Sequence, residues 1–444
     1  MTPRIDIIGG GASGLACAHE LSLADFPLEI HLWESESQLG GLAGSFETPH
    51  FRVEKFYHHI FKRDEAIQQL IREMDLESEL VWQAAATGSY YFSQPYRLSA
   101  PLDLLRFKPL PFLDRIRMGL LVLHARTVKD WRKLDDTTVK DYIVRIAGKK
   151  VYEVVWEPLL KGKFGPYAES VSAAWLWCKL VDRGGSRNAQ GFEYLAYLKG
   201  GMGRLFEAVG KELERKGHHI HRGERIQGLL TEGDQVTAIQ TEQATHPTNW
   251  VIAANQVPDL VSLLPQAQAA YQEQLDRIGF LGNVCLVWSL DQSLSEFYWT
   301  NVTDPSAPFV GVVEQSKWTG TQEFDGQHLV YLSAYVPPGD DRMTLSAEAL
   351  TERYLPFVQK MFPHFQPDSI LDQWVWRAEY AQPVVTVGYR HLVPAEQSPL
   401  KNLFLCTMAQ IYPNDRQVSN GIGRGRALAK QLITKISPHL TPAP

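Results

Sequence analysis

The sequence predicts an α/β protein in which a nucleotide-binding domain is interwoven with a mixed α+β domain that carries a helical cap. A βαβ pattern opens the chain, with a strand at 5–8, a glycine turn, a helix at 14–23 and a strand at 29–34. Short strands and tight turns of the same character return near residue 199 and again at 403–432. Because stretches of different composition separate these three parts, the chain is predicted to pass between two domains twice.

The length of 444 residues also favours two domains over one simple core. Basic and apolar residues interleave at 101–131, which predicts the helical cap, and 278–395 is rich in β-branched and aromatic residues. The first domain is predicted at 1–75, 196–277 and 396–437, the second at 76–195 and 278–395, and a flexible tail at 438–444.

The bulk composition is that of an ordinary globular protein. The net charge of −6 argues against a nucleic-acid partner, and the four widely spaced cysteines look like reduced thiols. No leader is evident, and no apolar run approaches the roughly 20 residues of a membrane span. We therefore expect a cytoplasmic protein with a small-molecule substrate, and the oligomeric state is left open.

The glycine turn carries the strongest motif. Gly9, Gly11 and Gly14 form G-x-G-x-x-G between an apolar strand and a helix, and Glu34 ends the next strand, 20 residues beyond Gly14. Gly9 allows the tight turn, Gly11 lets the backbone approach a pyrophosphate, and Gly14 lets helix and strand pack closely. The pattern predicts a dinucleotide with its phosphates at the helix N-terminus and its ribose on Glu34.

The segment after Glu34, with its Gly40-Gly41 pair, resembles the extension found in FAD-binding flavoproteins. The similarity is to the family of flavin amine oxidases, protoporphyrinogen oxidases and phytoene desaturase-like enzymes. Three later segments resemble that family in the right order, at 199–205, 250–258 and 403–408. Thr407-Met408 stands where the family usually has an acidic residue that contacts the ribityl or phosphate part of FAD. We therefore expect the backbone or another group to make that contact here. No motif for covalent flavin attachment is present in this segment.

The resemblance implies a Rossmann-like FAD-binding domain interwoven with a mixed α+β substrate domain carrying a helical cap, with noncovalent FAD. The residues predicted to bind FAD come from the glycine loop, the ribose acid, the second glycine pair and the three later segments. They are Gly9, Gly11, Ala12, Ser13, Gly14, Glu34, Ser35, Gly40, Gly41, Leu42, Ala43, Ile226, Ala253, Ala254, Met408, Asn420, Gly421 and Ile422.

Candidate catalytic residues lie in two places. The stretch at 54–61 contains His58 and His59 and resembles the histidine-containing loop of UDP-galactopyranose mutases. Either histidine would contact the flavin ring or exchange protons near neutral pH, and the alternative is that both are packing residues. Tyr380 and Gln382 are a second candidate wall of the substrate site, or simply strand residues.

Three further features bear on possible ligands and partners. The basic residues Lys161, Lys163, Lys179, Arg183 and Arg187 would bind an anionic substrate group or be solvated charges. The cap at 102–126 would cover the active site as an amphipathic layer, or make a peripheral contact with the inner face of a membrane. His219 and His221 would share one strand face, but no third ligand is evident, so no metal is predicted.

The function implied by the resemblance is an FAD-dependent oxidoreductase. It would oxidise a C–H or C–N bond of a small or apolar substrate by hydride transfer to flavin, with oxygen or another acceptor taking the electrons. The first alternative is a non-redox, flavin-dependent mutase of a nucleotide-activated sugar, which the histidine loop favours. The second alternative is a flavin-bearing binding protein without activity. The substrate is not predicted.

Overall fold

The computed structural model describes residues 2–91, 93–98, 101–184 and 193–437. The predicted tail at 438–444 and Arg187 lie outside these ranges, and so does most of the connection between the cap and the second part of the first domain.

The described residues contain strands that assemble into five sheets. In chain order they are β1 (Arg4–Ile8), β2 (Glu29–Glu34), β3 (Ser45–Glu47), β4 (Arg52–Glu54), β5 (Ile60–Phe61), β6 (Leu80–Ala85), β7 (Thr87–Tyr91), β8 (Gln94–Arg97), β9 (Glu193–Leu198), β10 (His219–Arg222), β11 (Gly228–Glu232), β12 (Gln235–Gln240), β13 (Thr245–Pro247), β14 (Trp250–Ala253), β15 (Phe280–Leu290), β16 (Trp299–Val302), β17 (Gly311–Glu314), β18 (His328–Val336), β19 (Ile370–Pro383) and β20 (Leu403–Leu405).

The helices surround these sheets and build the cap. In chain order they are α1 (Ala12–Leu21), α2 (Glu65–Glu73), α3 (Pro101–Arg106), α4 (Phe112–Thr127), α5 (Arg132–Asp135), α6 (Val139–Ala147), α7 (Lys149–Val151), α8 (Glu157–Phe164), α9 (Ala173–Gly184), α10 (Met202–Arg215), α11 (Val257–Leu263), α12 (Ala269–Asp276), α13 (Gln315–Thr319), α14 (Ala347–Met361) and α15 (Val418–Ile436).

The first sheet is parallel throughout and has the order β10-β2-β1-β14-β20. Its central strands are runs of fully buried apolar residues such as Ile7, Leu32 and Ile252, as a sheet covered on both faces requires. Helices α1 and α10 pack on it, and α15 packs against α1. The carboxyl ends of β1, β2 and β14 therefore meet at one edge, where a parallel sheet of this type binds its ligand.

The second large sheet has seven strands in the order β19-β15-β18-β17-β16-β7-β8. Its pairs are antiparallel except β16 with β7. Strand β15 is buried along all of its 11 residues because it lies between β18 and β19 and is covered on both faces. Helix α14 packs on one face, through Leu350, Tyr354 and Val358.

The cap is formed by helices α3 to α9. Its inner residues, including Leu121, Tyr142 and Phe164, belong to an apolar core that also contains Leu260 and Leu403 of the predicted first domain. Within the described ranges, no helix is both long enough and apolar enough to cross a membrane.

The predicted fold class is confirmed, with differences in detail. Helix α1 begins at Ala12 rather than Gly14, and Ile226 lies in the loop after β10 rather than in a strand. Strand β9 spans the predicted domain boundary between residues 195 and 196 and pairs with β5 and β6. The domain limits themselves stay a prediction.

Candidate functional site

A cavity of about 590 Å³ opens at the carboxyl edge of the parallel sheet. We call it the cofactor cavity. Its walls come from the glycine loop, the ends of β2, β10 and β14, and the loop that leads into α15. The lining residues are Ile8, Gly9, Gly11, Ala12, Ser13, Trp33, Glu34, Ser35, Gly40, Gly41, Leu42, Ala43, His58, Glu224, Arg225, Ile226, Gln227, Ala254, Asn255, Gln256, Asp259, Ser262, Leu263, Cys406, Met408, Ile411, Arg416, Gln417, Val418 and Gly421.

The three motif glycines have different physical roles. Gly9 has φ +110°, and a Cβ there would lie 3.0 Å from the backbone of Ala254. A Cβ on Gly14 would lie 2.0 Å from the Gly9 carbonyl oxygen, so the close packing of helix on strand requires glycine. A Cβ on Gly11 would have no other atom within 4 Å, and Gly11 lines the cavity. The open space at Gly11 fits a pyrophosphate, which would lie against the uncapped N-terminus of α1.

Glu34 holds the glycine loop as well as facing the cavity. Its carboxylate accepts hydrogen bonds from the backbone N–H groups of Gly10 at 2.8 Å and Glu36 at 2.9 Å. The residue is buried, so these charge-assisted bonds satisfy a carboxylate that water does not reach freely. Glu34 therefore fixes the shape of the loop, and its remaining lone pairs are available to ribose hydroxyls.

The second glycine pair packs directly on the first loop. The N–H of Gly40 donates to the carbonyl of Gly10 at 2.8 Å, and Gly40 has φ +113°. A Cβ on Gly40 would come within 2.9 Å of the Cα of Gly44. This close approach brings Gly41, Leu42 and Ala43 onto the cavity wall.

Helix α15 begins at the opposite wall. Its N-terminus has no side-chain cap and no acidic residue in the first turn, and Val418 and Gly421 line the cavity. A Cβ on Gly425 would lie 2.2 Å from the carbonyl oxygen of Ser13, so α15 and α1 pack at close range. Two helix N-termini thus face one cavity, a setting that favours an anionic ligand. At Thr407, the backbone N–H is satisfied by the Gln410 side chain at 2.8 Å.

His58 and His59 have different environments. His58 lines the cavity, and its Nδ1 lies 2.7 Å from the carbonyl oxygen of Phe56. Because a carbonyl only accepts, the Nδ1 of His58 carries the proton and Nε2 is left as an acceptor. Burial lowers the pKa of His58 to about 4, so its ring is neutral at pH 7. The Nδ1 of His59 instead lies 3.1 Å from the Tyr298 hydroxyl, and His59 is absent from the cavity wall.

Arg416 enters the cavity beside His58 and is the main site residue that the sequence did not predict. Its Nε donates to Gln382 Oε1 at 2.9 Å, and its guanidinium also bonds to the Tyr335 hydroxyl. The adjacent carboxylate, Asp415, is bound by Lys179 and lies 3.8 Å from Lys163. These cations hold the pKa of Asp415 well below its usual range, although burial opposes them. We call Arg416, Lys163 and Lys179 the basic wall, in which three cations face one carboxylate.

The structure brings most of the predicted cofactor residues onto the cavity wall. Those that line it are Gly9, Gly11, Ala12, Ser13, Glu34, Ser35, Gly40, Gly41, Leu42, Ala43, Ile226, Ala254, Met408 and Gly421, together with the catalytic candidate His58. Those that do not line it are Gly14, Ala253, Asn420, Ile422, His59, Tyr380 and Gln382. Gln382 is hydrogen-bonded to Arg416, which does line the cavity. The Tyr380 ring instead packs against Phe280, with the ring centroids 5.9 Å apart.

Some lining residues were not among those predicted from the sequence. Glu224, Arg225 and Gln227 come from the loop after β10, and Asn255 and Gln256 follow β14. Their position after parallel strands would have marked them, had the strand order been known. Arg416 has no such signal, because it lies in an irregular loop before α15.

Two enzymes of known name are similar to this chain in sequence. Coproporphyrinogen III oxidase of Bacillus subtilis is 28% identical over 181 residues, which is 38% of this chain and 38% of the relative. Protoporphyrinogen oxidase of Homo sapiens is 24% identical over 313 residues, which is 63% of this chain and 65% of the relative. The matches thus span less than two thirds of both relatives.

Solved structures share the fold over nearly the whole chain. A protein of Exiguobacterium sp. with the provisional name protoporphyrinogen oxidase has a TM-score of 0.77 at 18% identity, covering 98% of this chain and 99% of that one. Reduced UDP-galactopyranose mutase has a TM-score of 0.76 at 15% identity, covering 98% and 96%. Because the sequence identities are this low, the two structures show a shared fold and nothing about activity.

The family itself is shown by the sequence match. The profile described as flavin containing amine oxidoreductase matches residues 12–415, a range that begins inside the glycine motif, includes Gly14 and ends at Asp415. The open space at Gly11, the buried Glu34 and the two converging helix N-termini fit the cofactor of that family. This chain therefore belongs to the flavin containing amine oxidoreductase family, and its cofactor is FAD.

Proposed function

We propose that this chain is an oxidoreductase that oxidises a C–H or C–N bond of an apolar substrate bearing an anionic group, with a hydride leaving from a C–H bond at the oxidised carbon. When bound, FAD supplies the hydride acceptor. The observation that carries the proposal is that a neutral histidine, His58, and a partly buried cation, Arg416, both line the cofactor cavity.

His58 is proposed to act through its Nε2. The hydrogen bond to the Phe56 carbonyl fixes the ring and its tautomer, so the Nε2 lone pair is held in one direction. Since its pKa is about 4, the ring enters the reaction neutral and accepts a hydrogen bond or proton rather than donating one.

The basic wall supports an anionic substrate. Arg416 is held by Gln382 and Tyr335, and Lys163 lies over the Tyr335 ring at 5.6 Å. Of these three cations Arg416 is the one that lines the cofactor cavity, and its guanidinium would bind a carboxylate or phosphate of the substrate. Two relatives bear the names of porphyrinogen oxidases, so porphyrinogens are the first class to test.

A mutase acting on a nucleotide-activated sugar is the second candidate. The position of His58 on the cavity wall favours it, together with the similar fold of reduced UDP-galactopyranose mutase. The two candidates differ in whether electrons leave the flavin after each turnover.

Anaerobic mixing separates these candidates. The holoprotein is mixed with porphyrinogens, amines, polyisoprenoid acids and nucleotide sugars while flavin absorbance is followed. We expect bleaching by an apolar acid, and Arg416→Gln should raise its KM at least about tenfold, because a charge-assisted hydrogen bond contributes roughly 1.5–3 kcal/mol. Lys161→Gln is the matched control, since Lys161 pairs with Glu157 at the protein surface. Conversion of a nucleotide sugar only with prereduced flavin would select the mutase.

We also propose that the outer face of the cap rests on a lipid bilayer. Seven large apolar side chains of α3 and α4 are exposed, and we define them as the outer face: Leu102, Leu105, Phe112, Leu113, Ile116, Leu120 and Leu123. Exposed basic residues, including Arg106, Lys108 and Arg126, flank this face and suit anionic headgroups. A contiguous patch of this kind is rare on a free surface.

A further inference from the structure

A cluster of histidines lies on the first sheet, next to the cofactor cavity but outside its lining. Strands β2 and β10 pair in parallel, with His219 beside His31 and His221 beside Trp33. Because alternate residues of a strand share a face, Glu29 and His31 of β2 project on the same side as His219 and His221 of β10. The ring centroids of His31 and His219 are 4.5 Å apart, which confirms that the two rings face each other.

Three of these side chains offer metal-ligating atoms to one point. A carboxylate oxygen of Glu29 and ring nitrogens of His31 and His219 all lie within 4.8 Å of one another. The closest pair is Glu29 Oε1 and His31 Nε2, at 2.7 Å. Zinc bonds of about 2.0–2.2 Å place tetrahedral ligands roughly 3.3 Å apart, so the Glu29 and His219 side chains would rotate towards the ion to complete the geometry.

A fourth side chain, His221, orients His31. His31 Nδ1 lies 3.0 Å from His221 Nε2, and the His221 ring stacks on Trp33 at 3.7 Å with an interplanar angle of 7°. A metal on His31 Nε2 requires the proton on Nδ1, which then donates to His221 Nε2. Metal-binding histidines usually have such a partner at the other nitrogen, because it fixes the tautomer and ring orientation.

We propose that Glu29, His31 and His219 form a surface site for a zinc-type divalent metal, with water as the fourth ligand. Two imidazoles and one carboxylate suit Zn²⁺, Co²⁺ and Ni²⁺ rather than Mg²⁺ or Ca²⁺. The sequence shows only the His219-x-His221 pair, and the parallel pairing of two distant strands supplies the other ligands.

The site would tie together two strands that lead to the cofactor cavity. Strand β2 runs on to Trp33 and Glu34, and β10 runs on to the loop with Glu224 and Ile226, all of which line the cavity. Bound metal would therefore stabilise the sheet edge that supports this end of the cavity.

The test is a titration of tag-free holoprotein with Co²⁺, followed by its visible d–d absorption, and then displacement by Zn²⁺. We expect one equivalent to bind. His219→Ala should weaken binding at least about tenfold, since one of three protein ligands is lost. His218→Ala is the matched control, because that residue precedes β10 and lies outside the cluster. FAD content should be equal in all three proteins.

Two outcomes would overturn the proposal. One is wild-type protein that gives no Co²⁺ spectrum at millimolar metal. The other is equal Co²⁺ affinity in wild type and His219→Ala, which would locate the ion elsewhere. A second variant, Glu29→Gln, removes the charged ligand without changing size and should weaken binding in the same way. None of these results depends on the substrate of the enzyme.

Discussion

At the scale of single residues, Glu54 shows how burial changes chemistry near the site. This buried carboxyl accepts the Met202 N–H at 3.1 Å, yet burial raises its pKa to about 7. The folded state therefore binds a proton that the unfolded chain releases near pH 4.5, so Glu54 lowers stability as pH rises from 4.5 to 7.

Glu54→Gln should consequently stabilise the protein at pH 8 by about 2 kcal/mol and have little effect at pH 5. Glutamine keeps an acceptor for the Met202 N–H and removes the buried charge. Chemical denaturation at both pH values measures the difference. Glu47→Gln, an exposed residue of the same hairpin, should change stability at neither pH. A loss of stability with Glu54→Gln that is equal at pH 5 and pH 8 would contradict this explanation.

His58 and His59 provide an internal control for each other. His58→Ala should slow flavin reduction by an order of magnitude or more while FAD stays bound, since a positioned acceptor is lost. His59→Ala should leave the rate and the flavin spectrum unchanged, because His59 contacts Tyr298 rather than the cavity. Since the pKa of His58 is about 4, its protonation should add no inflection to the rate profile above pH 6. Wild-type kinetics in both variants would show that the loop only packs.

Single residues of the site differ in whether the sequence alone could predict them. Gly9, Gly11 and Glu34 could be predicted because a pyrophosphate and a ribose require particular residue types at fixed spacing. Arg416 could not, because its role arises from contacts with Gln382 and Tyr335, which lie in other parts of the chain.

At the scale of elements, α4 has two apolar faces. Leu121 and Ala125 are buried in the cap, while Leu113, Leu120 and Leu123 are 67%, 51% and 56% exposed on the other side. A helix that only covered an active site would need one apolar face. The sequence predicted the cap but left both interpretations open, because periodicity alone does not tell which apolar residues are covered.

Sedimentation with vesicles tests the outer face of the cap. Wild type should bind vesicles containing phosphatidylserine more strongly than pure phosphatidylcholine, and the double variant Leu113→Ser, Leu120→Ser should lose most of that binding. Leu371→Ser is the control, since Leu371 is 49% exposed on another surface. Vesicle binding unaltered by the double variant would refute the membrane contact, and a dimer that dissociates in the variant would identify a second copy as the occupant.

At the scale of the whole molecule, one chain supplies the cavity from three distant segments. Strands β1, β2, β10, β14 and β20 all end at the same edge of the parallel sheet, and helices α1 and α15 begin there. Their order along the chain was predictable from their resemblance to flavoproteins. The pairing of β9 with β5 and β6 was not, since it depends on strands from both predicted domains.

The central claim is that FAD lies in this cavity with its pyrophosphate against Gly11, and the FAD content of Gly11→Val tests it most directly. Gly11 has an extended backbone, with φ −79° and ψ −176°, and an open Cβ position, so valine should not disturb the fold. Gly119→Val, at an equally open position on α4, is the control. We expect one FAD per chain in wild type and Gly119→Val, and none in a folded Gly11→Val. One FAD per chain in Gly11→Val, with wild-type affinity, would contradict this placement.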